Sequence, residues 1–263
     1  MRSPYSRSGQ VSALRVFADV ETVEFINSYT IVKLMSSQSY IKWLGHAAFE
    51  LSLSGKKILI DPWISNPLSP VTLSEITRVD YILVTHDHFD HLGETVDIAK
   101  KTNATVVGVF ELVNYLAEQG VKNTIGMNVG GSVKLTSEIE VYVTPALHSS
   151  SRGIPVGFII RAPEATVYHA GDTGLFSEMD LLGRLFKIDV ALLPIGGLFT
   201  MDPRQAAYAL TMLRPRAAVP MHYNTFPDIK QDPNQFKELA ESMLPDVKVY
   251  ILKPGEVLPL PIR

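Results

Sequence analysis

Cysteine is absent from the 263-residue sequence. The chain therefore has no disulfide framework, no thiolate metal ligand and no cysteine nucleophile. Any metal ion must be held by nitrogen and oxygen atoms, which histidine and the carboxylates supply.

Long apolar runs and strong charge are absent as well. No run approaches the roughly 20 apolar residues that cross a bilayer, and no signal-peptide pattern follows the basic N-terminus. These absences predict a soluble, cytoplasmic protein with no membrane contact. The net charge of −3 lacks the basic excess typical of nucleic-acid-binding proteins, so the expected partner is a small-molecule substrate and not a nucleic acid. The composition is also compatible with a homo-oligomer.

The composition, 46% hydrophobic and 19% charged, is that of a globular protein large enough to bury a sizeable core. Residues 1–39 show no sustained periodicity and are interpreted as an N-terminal extension. Residues 40–263 are interpreted as one functional domain. Short β-type runs after Tyr40 predict an antiparallel meander, and helices then alternate with strands. The pattern predicts an α/β fold of two β-sheets with helices outside them.

The segment Thr85–His91 places three imidazoles and two carboxylates directly after the apolar run Tyr81–Val84. In an extended chain, side chains at alternate positions point the same way. His86, His88 and Asp90 are therefore expected to converge on one face, with His91 arriving from a turn or helix start. Imidazole and carboxylate suit divalent metal ions, so the segment predicts a metal site.

Three further predicted strands end in metal-capable groups, namely His148, Asp172 and His222. A single histidine at a strand end is more often a hydrogen-bonded structural residue. Together with the cluster, however, these three residues indicate one shared site, since loops at strand ends commonly carry chemistry.

The full order of motifs, HxHxDH followed by His, Asp and His, closely resembles the metallo-β-lactamase superfamily. The resemblance covers about residues 40–260 and implies an αββα four-layer sandwich of two mixed β-sheets flanked by helices. It also implies a binuclear site with two divalent ions, zinc being expected and manganese or iron the alternatives. On this resemblance His86, His88 and His148 hold the first metal, Asp90, His91 and His222 hold the second, and Asp172 bridges them.

The segments 43–47, 60–62, 168–173 and 221–223 most resemble the branch of small metal-dependent hydrolases related to ascorbate-6-phosphate lactonase. That branch implies hydrolysis of a lactone or carboxylic ester of a small, in some cases phosphorylated, metabolite by a metal-bridged hydroxide. His88 stands where diiron oxygen-reducing relatives typically carry Glu, which favours hydrolysis over redox chemistry. The alternatives are a phosphodiesterase or nuclease with the same site, and a non-catalytic metal-binding module.

Six residues receive roles beyond simple ligation. Asp90 is expected to orient the hydroxide and pass a proton to the leaving group. Asp61 is expected to accept a hydrogen bond from a ligand imidazole or the cluster loop. His46 either lines the site or is a buried structural residue, and for His169 a structural or supporting role is favoured. Thr200 and Asn224 lie beside the predicted site loops and either contact substrate or form turns.

Overall fold

The computed structural model describes residues 38–262. The predicted extension, residues 1–39, lies outside the described residues except for its last two positions. Within residues 38–262, no helix is long and apolar enough to cross a membrane.

Within residues 38–262, fourteen strands, numbered in chain order, form two seven-stranded sheets. The first sheet contains β1 (Tyr40–Trp43), β2 (Phe49–Leu53), β3 (Lys56–Ile60), β4 (Tyr81–Leu83), β5 (Thr105–Val109), β6 (Thr124–Met127) and β14 (Val257–Pro259). The second contains β7 (Ser132–Lys134), β8 (Glu140–Pro145), β9 (Val156–Arg161), β10 (Thr166–His169), β11 (Val190–Pro194), β12 (Ala217–Met221) and β13 (Lys248–Val249).

Six α-helices accompany the sheets within the described residues. They are α1 (Phe89–Leu92), α2 (Thr95–Thr102), α3 (Phe110–Glu118), α4 (Met179–Leu185), α5 (Pro203–Leu213) and α6 (Pro233–Met243). Helix α5 begins with Pro203 at its first position, and its N-cap Asp202 accepts a hydrogen bond from the Gln205 backbone amide.

Both sheets are mixed. Strands β1, β2 and β3 form the predicted antiparallel meander, and β4, β5 and β6 continue the sheet in parallel. Strands β9 and β10 form an antiparallel hairpin, and β11 to β13 extend that sheet in parallel. Strands β11 and β12 are buried throughout, and their sequences are continuous apolar runs. Such runs are typical of parallel strands that are covered on both faces.

Strand direction explains why the candidate site residues meet. In the first sheet β1, β3 and β4 run the same way, so their carboxyl ends share one edge. In the second sheet β8, β10 and β12 run the same way as one another. Apart from His169, which is the last residue of β10, the histidines and aspartates that the sequence singles out lie after the ends of these six strands. Ligands can therefore converge from positions far apart in the chain.

Candidate metal centre

The cluster after β4 changes from extended chain to helix in its middle. His88 has extended backbone angles and is the N-cap of α1, whereas Asp90 and His91 lie within that helix. The predicted convergence of His86, His88 and Asp90 on one face is therefore wrong for Asp90. A helix rotates successive side chains by about 100°, so Asp90 and His91 turn toward a different group of ligands.

The first group of candidate ligands is His86, His88, His148 and Asp172, whose ligand atoms all lie within 4.8 Å of one another. His88 Nδ1 lies 2.9 Å from His86 Nε2 and 3.3 Å from His148 Nε2. Asp172 Oδ2 lies 3.4 Å from His148 Nε2. Three imidazoles and one carboxylate thus surround a single point.

The second group is His46, Asp90, His91 and His222, again with ligand atoms within 4.8 Å of one another. Asp90 Oδ2 lies 3.1 Å from His46 Nε2 and 3.9 Å from His222 Nε2. Asp172 faces this group too, with Oδ1 3.2 Å from His91 Nε2 and Oδ2 3.0 Å from His222 Nε2. One carboxylate therefore lies between the two groups.

The backbone before Asp172 explains how its carboxylate reaches this position. Gly171 has a φ of +62°, a conformation that side chains with a Cβ rarely adopt. A Cβ at Gly171 would also lie 2.5 Å from the Val156 carbonyl oxygen. Glycine is therefore required for the turn that brings Asp172 between the groups.

Several buried polar atoms of these groups have no hydrogen-bond partner within residues 38–262, which tests whether a metal fits. They include His91 Nε2, Asp172 Oδ1 and both ring nitrogens of His222. His91 Nδ1 already pairs with Asp61 Oδ2 at 2.7 Å. In the neutral ring, His91 Nε2 is then a lone pair facing a carboxylate oxygen. Two buried acceptors in contact are costly unless a cation or proton lies between them, so this donor set fits a divalent ion.

The charges of the site favour the same conclusion. Burial lowers the pKa of His86 and takes the pKa of His46 to about 4, so both rings are neutral, as metal ligation requires. Burial alone would lower the pKa of His91, but the carboxylates of Asp172 and Asp61 outweigh it and hold that pKa well above its usual value. A bound cation can replace the proton that these carboxylates attract.

A cavity of about 520 Å³ opens onto the two groups. Five candidate ligands line it: His88, Asp90, His148, Asp172 and His222. The other lining residues are Ser149 and the aromatic rings of Phe89, Phe199 and Phe226. A small molecule in this cavity can reach both groups of ligands.

Comparison with known proteins agrees with this geometry. A family model described as "Beta-lactamase superfamily domain" matches residues 56–223. A "UPF0173 metal-dependent hydrolase" of Caldivirga maquilingensis is 72% identical over 225 residues, which cover 85% of this chain and 99% of that protein. The chain belongs to the metallo-β-lactamase superfamily. A relative of the same description in Pyrobaculum calidifontis is 58% identical over 84% of this chain and 99% of its own length.

Solved structures give the same fold for this superfamily member. Igni18, a metallo hydrolase of Ignicoccus hospitalis, is 43% identical, with a TM-score of 0.82 over 86% of this chain and 100% of that one. YhfI of Bacillus subtilis, at 10% identity, shares the metallo-β-lactamase fold with a TM-score of 0.67 over 84% of this chain and 99% of its own. The predicted αββα sandwich is confirmed, and the chain is a metal-dependent hydrolase of this superfamily.

Asp61 orients two ligand imidazoles of the hydrolase, His91 directly and His86 through Thr85. Its carboxylate accepts hydrogen bonds from the Thr85 backbone amide at 2.8 Å, the Thr85 hydroxyl at 2.7 Å and His91 Nδ1 at 2.7 Å. The Thr85 oxygen also lies 3.0 Å from His86 Nδ1. Because the Thr85 hydroxyl donates to Asp61, that oxygen accepts from His86 Nδ1. One carboxylate thus directs Nε2 of both rings toward the centre.

We expect Asp61→Asn to weaken metal binding by about 10- to 100-fold, since the ligand tautomers are no longer fixed. Competition with a chelator, monitored by metal content, measures the change. Asp80→Asn is the matched control, because Asp80 accepts from the Lys57 amide outside the site. Equal metal affinity in both variants and the wild type would contradict the role of Asp61.

Asp87 belongs to the sequence cluster but contacts neither group of ligands. Its carboxylate accepts from the Ser150 hydroxyl at 2.9 Å, the Ser151 amide at 2.8 Å and the Arg152 guanidinium at 2.8 Å. The Arg152 guanidinium also lies 3.8 Å from the centre of the Tyr115 ring. Asp87 therefore joins the cluster loop to the loop that carries His148. Sequence reasoning missed this role, although alternation places Asp87 opposite its histidine neighbours.

Asp87→Ala is expected to lower the free energy of unfolding by about 1 to 2 kcal/mol, because it removes the acceptor of three hydrogen bonds, one from the charged Arg152, whose donors are partly exposed. Chemical denaturation followed by circular dichroism measures this change. Asp246→Ala, at an exposed position, serves as control and should have almost no effect. A loss no larger than that of the control would show that the contact between the loops is dispensable.

The remaining two histidines are both buried, but only one lies in a ligand group. His46 Nδ1 lies 2.9 Å from the Thr225 hydroxyl, and its Nε2 contacts Asp90 in the second group. His169 Nε2 donates to the Ala47 carbonyl at 2.9 Å, and its Nδ1 accepts from the Gly171 amide at 3.2 Å. His169 thus ties the turn before Asp172 to the loop after β1.

Thr200 and Asn224 point their polar groups elsewhere. The Thr200 hydroxyl donates to the Met201 carbonyl at 3.3 Å, and the Asn224 side-chain oxygen accepts from the Gln231 amide at 2.9 Å. Neither residue is among those that line the cavity of the hydrolase. These contacts are those of turn-forming residues.

Proposed function

We propose that the chain hydrolyses a lactone or carboxylic ester of a small molecule at a centre of two divalent ions. The observation that carries this proposal is the meeting of two ligand groups at Asp172 beneath an open cavity. Metal storage or sensing alone would not require a cavity that exposes both groups to a small molecule.

The proposed ligand sets follow the two groups. His86, His88 and His148 would hold one ion, and Asp90, His91 and His222 would hold the other; Asp172, whose carboxylate faces both groups, would serve both. Zinc is the proposed metal, with manganese and iron as alternatives, because imidazole and carboxylate accept all three. When bound, such a pair of ions lowers the pKa of a shared water toward neutrality and polarises the bond that is attacked.

Asp90 is the proposed proton carrier. His46 is neutral, and its Nε2 lies 3.1 Å from Asp90 Oδ2, so its N–H donates to that oxygen and fixes the carboxylate. Burial would raise the pKa of Asp90, but the hydrogen bond from His46 and the charge interactions with His91 and His46 together outweigh it and keep that pKa below its usual value. The ionised carboxylate can orient a water molecule, accept its proton and deliver that proton to the leaving alkoxide.

The cavity favours an ester or lactone over a phosphodiester. No lysine or arginine of the described chain lines it. Enzymes that transfer phosphoryl groups commonly place cationic side chains against the phosphate oxygens. The same absence argues against a phosphorylated metabolite, since its phosphate would find no cationic side chain in the cavity. A phosphodiesterase or nuclease therefore remains the second candidate.

A panel of three substrates tests the proposal on the metal-loaded full chain. The panel contains an uncharged lactone, an aryl ester and bis(p-nitrophenyl) phosphate, and His86→Ala is the control that removes a ligand. Turnover of the lactone or ester that is lost in the control supports the proposal. Turnover of the phosphodiester alone would reject the proposed ester or lactone hydrolysis and favour a phosphodiesterase.

A further inference from the structure

Three phenylalanine rings, Phe89, Phe199 and Phe226, line the cavity beside the candidate ligands, and we call them the aromatic wall. Phe89 is 67% exposed and Phe199 is 54% exposed. A single exposed apolar side chain needs no explanation, but several around one functional cavity indicate a surface that binds an apolar group.

Two rings of the aromatic wall are held in place by a common neighbour. Trp63 stacks on Phe226, with ring centres 5.6 Å apart and planes at 22°, and meets Phe89 edge-on at 5.5 Å. The Phe226 ring also meets the His46 ring at 5.7 Å, within the second ligand group. Phe89 and Phe226 are therefore preorganised next to the centre, which reduces the entropy lost when a ligand binds.

The polar side chains of the cavity leave little to bind a charged or hydroxyl-rich group. Apart from the candidate ligands, Ser149 is the one polar residue among those that line the cavity in the described chain. We propose that the aromatic wall binds an uncharged aryl or alkyl group of the substrate, adjacent to the bond that is hydrolysed. This inference deepens the proposed function and relies on it for the position of the reacting carbonyl.

Alkyl hydroxamates of increasing length test the aromatic wall without any reaction. A hydroxamate is a metal-chelating group, so the series from acetohydroxamate to hexanohydroxamate anchors at the ions and extends the alkyl chain into the cavity. Isothermal titration of the zinc-loaded full chain measures affinity. We expect affinity to rise about 3- to 4-fold for each added methylene, the gain for burying one such group. Succinate monohydroxamate, which is charged, should bind no more tightly than acetohydroxamate.

Phe199→Ala is the principal variant, because Phe199 is exposed and makes no aromatic contact within the described part of the chain, unlike Phe89 and Phe226. It should reduce the gain per methylene to below about 2-fold while leaving acetohydroxamate affinity unchanged. Phe226→Leu is the second variant, which keeps an apolar side chain and should retain most of the gain. Phe110→Ala is the matched control, since Phe110 is 57% exposed but lies outside the cavity lining.

An affinity that does not depend on chain length, or a gain that Phe199→Ala leaves intact, would overturn the inference. The inference would also be overturned if Phe199→Ala changed the association state of the chain, measured by light scattering, but left the affinity gain per methylene unchanged. The test is separable from the proposed function. A clear gain per methylene in a chain that hydrolyses neither ester nor lactone would reject the proposed reaction and keep the aromatic wall.

Discussion

Asp172→Ala is expected to remove most bound metal and to lower kcat/KM for the ester or lactone by about 1,000-fold or more. Asp172 is the carboxylate that faces both ligand groups, within 3.4 Å of His148 Nε2 and 3.0 Å of His222 Nε2. Its loss removes a ligand and a negative charge from each group at once. The polarising effect of the ions, worth several kcal/mol, corresponds to a rate factor of this size.

Metal content by plasma mass spectrometry and steady-state kinetics measure both effects in the same preparation. Asp180→Ala is the control, because Asp180 is a partly exposed carboxylate that pairs with Arg184 and Arg214 on the helices. It should keep full metal content and rate. A variant of Asp172 that retained two ions and wild-type turnover would contradict the placement of this residue between the groups.

Asp90→Asn is expected to reduce kcat by about 100- to 10,000-fold when metal is saturating, the range for removal of a general acid or base. Asparagine keeps the shape and can still accept from His46, but it cannot take up or deliver a proton. The measurement is kcat at saturating metal, with metal content determined on the same sample.

The leaving group separates proton transfer from ligation. An alkyl ester needs protonation of its leaving alkoxide far more than a p-nitrophenyl ester does, so the loss in Asp90→Asn should be much larger for the alkyl ester. Near-full turnover of the alkyl ester with both ions bound would reject the proton-carrying role of Asp90. An equal loss of kcat for the two esters would indicate that Asp90 acts as a metal ligand and not as a proton carrier.

The ligand positions could be predicted from sequence because strand ends and short motifs are local features. His148, Asp172 and His222 each follow a strong apolar run, and the strands that precede them run in one direction. Their loops consequently meet at one edge of the sheet. The structure brings all three together with the cluster after β4.

Other features depend on contacts between distant segments and could not be read from local patterns. Trp63 meets Phe226 across more than 160 residues, and nothing in either neighbourhood indicates the pairing. Helix α1 begins inside the histidine cluster and turns Asp90 toward the second ligand group, which the alternation of an extended chain does not predict. Strands β6 and β14 are short edge strands, specified by pairing more than by their own sequence, so no local pattern indicates them.

The metal stoichiometry of the purified full chain, loaded with zinc and freed of unbound metal, tests the central claim most directly. We expect close to two ions per chain in the wild type and a clear loss in His86→Ala, with the fold intact by circular dichroism. Failure of the wild type to retain any metal under zinc, manganese or iron loading would contradict the binuclear centre and the hydrolysis proposed for it.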